Sequence, residues 1–178
     1  RKKKLSRAVQ LAVLSMSVAP SIALADLEVS GVVSAATSVT NTGTITPGGD
    51  YISADGANTQ LTGGVTNSGS IAAGDEAFDV RTGSTISGAI TNNAGGIITA
   101  GRDAFFVFRN STISGDITNS GSIAAADDAF DVRVTSTISG DITNSGTITA
   151  TGDDAFHVGV TSDISGGVTN SGSITAVD

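Results

Sequence analysis

A Thr-Asn pair recurs at Thr40, Thr66, Thr91, Thr118, Thr143 and Thr169, at intervals of 26, 25, 27, 25 and 26 residues. Whole phrases return with it. DITNSG stands at Asp116–Gly121 and again at Asp141–Gly146, and GVTNSG at Gly64–Gly69 and Gly167–Gly172. A period in the twenties constrains this chain more than any other feature, because one such unit cannot bury an apolar face alone and must stack on its neighbours. The irregularities are local. Each Phe is followed eight residues later by an Ile (Phe78 and Ile86, Phe105 and Ile113, Phe130 and Ile138, Phe156 and Ile164). The extra residues fall in TNNAGG (Thr91–Gly96) and ATGDD (Ala150–Asp154), where Gly, Asn and Asp favour turns.

Within the copy that starts at Ile113, ISGDITN alternates Ile113, Gly115, Ile117 and Asn119 on one face with Ser114, Asp116 and Thr118 on the other. That period of two is the strand signature. GSIAA (Gly121–Ala125) points Ile123 inward, and DAFDVRV (Asp128–Val134) points Phe130, Val132 and Val134 inward with Asp131 and Arg133 outward. The expected fold is therefore all-β: a single-stranded parallel β-helix (β-solenoid) with three short strands per coil of about 25–26 residues. About six coils stacked roughly 4.8 Å apart make a rod of about 30 Å. Stacking turns equivalent residues into ladders: Val39, Val65, Ile90, Ile117, Ile142, Val168; then Ile45, Ile71, Ile98, Ile123, Ile148, Ile174; and Ile52, Phe78, Phe105, Phe130, Phe156 with Val80, Val107, Val132 and Val158 two residues on. The absence of cysteine rules out a disulfide framework, so this cumulative core has to supply the stability.

The first 25 residues follow another rule. RKKKLSR is a basic stretch, Ala8–Ala19 an apolar run too short to span a bilayer comfortably, and Ala23–Ala25 a small-x-small site before Asp26. Residues 1–25 are expected to be a signal peptide, and residues 26–178 the exported portion. Five of the nine basic residues lie in that leader, which leaves four against 17 acidic residues and a net charge of −13. Such a balance disfavours nucleic-acid backbones and anionic membranes. The chain starts without Met and stops in mid-pattern at Asp178, so it is expected to be part of something longer.

The iterated STISGDITNSGTITA…DAFHV, from Gly31 to Asp178, resembles passenger-domain repeats of autotransporters, the type V secreted proteins of Gram-negative bacteria. The resemblance implies a right-handed β-helix, export by signal peptide, a place at the cell surface, in the outer membrane or outside the cell, and attachment through a C-terminal barrel that this chain does not contain. It implies an adhesin-like structural stalk whose partners are host or sibling cell surfaces, glycan or matrix, with no nucleic acid among them. The alternative is the N-terminal part of a carbohydrate-active β-helix enzyme, a polysaccharide lyase or hydrolase, whose active site lies beyond residue 178.

Four features compete as sites. The asparagines Asn41, Asn67, Asn92, Asn119, Asn144 and Asn170 are expected to stack as a structural ladder of amides, with the adjacent glycines giving the corner its backbone freedom. The acids before each Ala-Phe (Glu76, Asp103, Asp128, Asp154, often beside Asp75, Asp127 or Asp153) are expected to accept corner amide hydrogens. A shared Ca²⁺ is their competing reading. The glycine-rich nonapeptide of calcium-binding β-rolls is absent, so neither metal nor cofactor is expected. RDAFFVFRN (Arg102–Asn110) breaks the pattern: Phe106 and Phe108 should face outward where neighbouring coils carry Asp79, Asp131, Arg81 and Arg133. With Arg102 and Arg109 they form the expected partner-contact patch. Catalysis is not expected, since His157 is the single histidine and no G-x-S-x-G elbow exists.

Overall fold

The computed structural model describes residues 27–30, 34–35 and 38–177. The expected signal peptide, residues 1–25, lies outside the described residues. Every described strand is paired in parallel, with no helix among them, and the strands form four six-stranded sheets rather than three. One coil shows the order: Phe105–Phe108, Thr112–Ile113, Ile117–Asn119 and Ser122–Ala125, after which Phe130–Arg133 opens the next coil. These strands belong in turn to a phenylalanine sheet, a short sheet, an asparagine sheet and an alanine sheet.

The fourth sheet arises because ISGDITN does not run as one strand. Its inward alternation persists, with Ile113, Gly115, Ile117 and Asn119 all buried. Its backbone pairing does not. Ser114 N–H donates to Ile86 O of the preceding coil at 2.8 Å, and Gly115 N–H, which a continuous strand would aim at the following coil, leans on the same oxygen at 3.4 Å. That break in the side-to-side alternation divides the run into two sheets. Gly115 sits at this bend because a Cβ there would come within 2.1 Å of Gly88 O.

Register between coils is the one the ladders require. Ile90 stands opposite Val65 and Ile117, Ile98 opposite Ile71 and Ile123, Phe105 opposite Phe78 and Phe130, and Val107 opposite Val80 and Val132. A further column runs through Leu61, Ile86, Ile113 and Ile138 on the short sheet. All these side chains are buried and form one continuous core. The phenyl rings of Phe78, Phe105, Phe130 and Phe156 lie 4.7–4.8 Å apart and within 4° of parallel, and Tyr51 meets Phe78 edge-on at 6.1 Å. Offset ring pairs add about 0.5–1.5 kcal/mol each beyond the area they bury.

Between the phenylalanine and short sheets the chain turns through left-handed residues: Thr82 and Gly83, Arg109 and Asn110, Val134 and Thr135. A buried serine closes each of these corners. Ser84 Oγ donates to Arg81 O at 2.6 Å, and Ser111 Oγ to Phe108 O at 2.7 Å.

The corner glycines after the asparagines have a different cause from the one expected. Gly69, Gly121, Gly146 and Gly172 do not have left-handed backbones. Each is glycine because the chain below is too close: a Cβ on Gly121 would lie 2.1 Å from Gly96 O, and one on Gly146 2.0 Å from Gly121 O. Gly121→Ala should therefore push two coils apart and lower the unfolding free energy by about 3 kcal/mol, toward the upper range for overpacking. Gly43→Ala, whose Cβ would meet nothing within 4 Å, should leave the urea unfolding midpoint almost unchanged.

Candidate functional site

The asparagine side chains from Asn41 to Asn144 point into the solenoid and are almost wholly buried, whereas Asn170 on the last coil is exposed. Each Nδ2 donates to the next Oδ1: Asn41 to Asn67 at 2.7 Å, Asn67 to Asn92, Asn92 to Asn119 and Asn119 to Asn144 at 2.8 Å, and Asn144 to Asn170 at 2.7 Å. The second Nδ2 hydrogen reaches a backbone oxygen of the following coil, as when Asn119 donates to Thr147 O at 2.9 Å. The ladder uses the amide's donors and acceptor within the fold, so it holds coils in register and presents nothing to a ligand. The hydroxyl column beside it, Thr40 to Thr169, is unbroken on the outer side of the same sheet.

A second column runs along the corner that leads into the phenylalanine sheet: Asp50, Glu76, Asp103, Asp128, Asp154. The aspartates accept amide hydrogens from the next coil, Asp50 Oδ1 from Glu76 N at 3.2 Å, Asp103 Oδ1 from Asp128 N at 3.0 Å and Asp128 Oδ1 from Asp154 N at 2.8 Å. Glu76 has a longer side chain and is served by cations instead. Its Oε1 takes Arg102 Nη1 at 2.8 Å and Arg81 Nη2 at 3.3 Å, while the buried Oε2 has no partner among the described residues. Burial, together with hydrogen bonding to Asp50 and the charge of Asp75, pushes Glu76 up to about 8 against the pull of Arg102.

Alternation places Asp79 and Asp131 on the outer side of the phenylalanine sheet, yet both are buried, which sequence periodicity did not foresee. Their own arginines fold back over them. Arg81 Nε bonds Asp79, and Arg133 Nε bonds Asp131 at 2.5 Å while its Nη2 reaches Asp128 at 3.4 Å. Phe106 stands in register between Asp79 and Asp131 and walls them off along the axis. Burial pushes Asp79 up to about 6 despite the hydrogen bond from Arg81, and Asp103 up to about 6 despite the Asp128 amide. Asp128 and Asp131 are raised for the same reason.

Phe106 and Phe108 are half-buried rather than freely exposed. Their rings stack on each other at 5.4 Å, Arg81 sits over Phe106 and Arg109 over Phe108, each guanidinium 4.9 Å from the ring centre. Arg81 thus belongs with the aromatic pair, which the sequence reading had assigned to its flanks, Arg102 and Arg109. Arg102 turns away toward Glu76 and Asp75. The signal for Arg81 was present in the one-coil offset between FDVR and FFVF, once the register is known.

Carboxylate oxygens of Asp103, Asp128 and Asp131 approach within 4.8 Å of one another, as do those of Asp50, Asp75 and Glu76, and Asp128 and Asp154 with His157. Oxygen sets of this kind suit hard cations. In the first two, guanidinium groups already supply positive charge, from Arg133 in one and from Arg81 and Arg102 in the other. The face as built is a layer of buried carboxyls under arginine and phenylalanine.

Replacing Asn119 by Ala would leave the buried Asn144 Oδ1 without the Asn119 amide and take one partner each from Asn92 Nδ2 and Thr147 O, and should cost about 2 kcal/mol in urea unfolding, since an orphaned buried group costs about 1–3 kcal/mol. The acid column makes stability depend on pH. A carboxyl whose folded value is raised stabilises the fold while protonated, fully so below its unfolded value near 4, and that contribution is lost as pH rises through the folded value. With Glu76 at about 8 and Asp79 and Asp103 at about 6, the urea midpoint should climb as pH falls from about 9 to about 4. Asp103→Asn should flatten the part of the profile around pH 6. No family model, curated protein or solved structure matches this chain, so the solenoid and its arginine-covered face rest on its own residues.

Proposed function

We propose that this chain is a structural and adhesive β-helical stalk, an autotransporter-like passenger that leaves the cytoplasm by its signal peptide and stands at the outer membrane or beyond it. The observation that carries the reading is the unbroken parallel register of all four sheets across six strands each, with coils that differ in length by two residues at most. Such a rod projects whatever it is attached to, and it lacks among the described residues the long corner loops from which a β-helix enzyme builds a cleft. Its role is therefore structural rather than catalytic. Its partners are a host or sibling cell surface, glycan or matrix, met through the face around Phe106 and Phe108. Attachment to the outer membrane falls to a barrel beyond these residues.

Two measurements test this reading. On intact cells that make the whole protein, added protease should cleave it, and full protection would remove the surface location. Beads coated with the purified protein should adhere to cells. Phe106→Ser combined with Phe108→Ser should keep the β-type circular dichroism spectrum and lower adhesion about tenfold, the scale expected when two aromatic contact residues are lost. Undiminished adhesion by the double variant would take this face out of the account.

A further inference from the structure

All four cationic side chains among the described residues, Arg81, Arg102, Arg109 and Arg133, lie on or beside the phenylalanine sheet within three consecutive coils. In a chain with so large an acidic excess this is a strong segregation of charge. Arg81, Phe108 and Arg133 share one register row, so the two arginine backbones stand two coils apart, about 9.6 Å, with Phe108 between them in the row. Arg109, exposed at the corner and leaning on Phe108, has no carboxylate partner among the described residues. Beneath this cationic layer lie Glu76, Asp79, Asp103, Asp128 and Asp131, all buried. The exposed Asp116 and Asp141 occupy a different corner, between the short and asparagine sheets.

We infer that this face is an acid-activated binding site for a polyanionic polysaccharide, in which protons replace the arginines as partners of the buried carboxyls and the guanidiniums turn to sulfate or carboxylate groups on the glycan. The inference rests on the reading of the chain as an adhesive rod and names the partner of that same face. The carboxyls meet both signs of charge. Glu76 is faced by Asp50 and Asp75 as well as by Arg81 and Arg102. Asp79 is faced by Arg81, Asp50 and Asp55. Asp103 has Asp127, Asp128 and Asp131 around it, with the guanidiniums of Arg102 and Arg133 in electrostatic reach. Asp128 and Asp131 see each other and Arg133, with His157 near both, Asp153 near Asp128 and Asp127 near Asp131. Burial holds Glu76, Asp79 and Asp103 above their ordinary range, so between about pH 8 and pH 5 these three lose charge while arginine keeps its own. The face loses negative charge while its four guanidiniums keep their positive charge.

Sparse anions suit it better than dense ones. Four cations with phenyl rings between them fit charged substituents spaced along a sugar chain, whereas a nucleic-acid backbone asks for a continuous basic track. Guanidinium forks bind sulfate and carboxylate with directed hydrogen bonds.

The test uses the purified protein with dextran sulfate, unsulfated dextran and polyglutamate at pH 5 and pH 8 in constant salt. Dextran sulfate should bind about tenfold more tightly at pH 5, unsulfated dextran should not bind, and polyglutamate should compete poorly. Arg109→Gln, which breaks no carboxylate contact of the fold, should weaken binding at pH 5 about tenfold, the loss of one charge-assisted hydrogen bond. Asp103→Asn should raise affinity at pH 8 toward the pH 5 value. Equal affinity at the two pH values, binding of unsulfated dextran, equal competition by polyglutamate, or an unaffected Arg109→Gln variant would each overturn the inference. Binding of dextran sulfate as expected by a protein that does not adhere to cells would remove the adhesive reading and leave this one standing.

Discussion

Backbone pairing between coils, at a spacing of about 4.8 Å, is the constraint on which the rest of this structure depends. Once each residue must sit above its equivalent 25–27 residues earlier, every side-chain type becomes a column. Columns of Ile, Val and Phe bury themselves, and a column of Asn satisfies its own amides. Glycine columns appear where one coil's backbone touches the next. Gly121 and Gly146 are set by an approach of about 2 Å that no Cβ could share, a condition imposed by the stack and not by the local turn.

The same constraint makes the acid column a difficulty for the fold. Like charges at one-coil spacing repel, and burial raises the cost further. Three devices offset it here. Aspartate oxygens accept the next coil's amides, Arg81 and Arg133 fold back from five residues beyond onto Glu76 and Asp128, and the protons of Glu76 and Asp103 stay bound at higher pH than usual. The row where FFVF replaces FDVR omits one acid and one arginine together, and the aromatic pair fills the gap between the arginine-covered rows on either side. Stability, charge and the half-buried aromatic pair are thus coupled on a single face.

The ladders were legible because period-two alternation and the long period act on the same residues. Ile98 over Ile71 and Phe105 over Phe78 follow from the letters alone. The division of ISGDITN into two sheets was not legible, because its inward pattern continues through Gly115 while only the backbone ladder is interrupted, Ser114 and Gly115 both donating to Ile86 O. Nor was the burial of Asp79 and Asp131. Alternation assigns a direction to a side chain, but whether an outward carboxylate meets water depends on what folds across it from other rows.

By itself the sequence determined the parallel solenoid, the identity and register of its columns, the asparagine stack and the one row that breaks the pattern, because a repeat that must stack leaves almost no freedom in which residues meet. Tertiary structure alone decided the fourth sheet, the reason for the corner glycines, and the pairing of Arg81 with Phe106 instead of Arg102. Those outcomes depend on distances between backbones and on the reach of long side chains across coils, which periodicity does not encode.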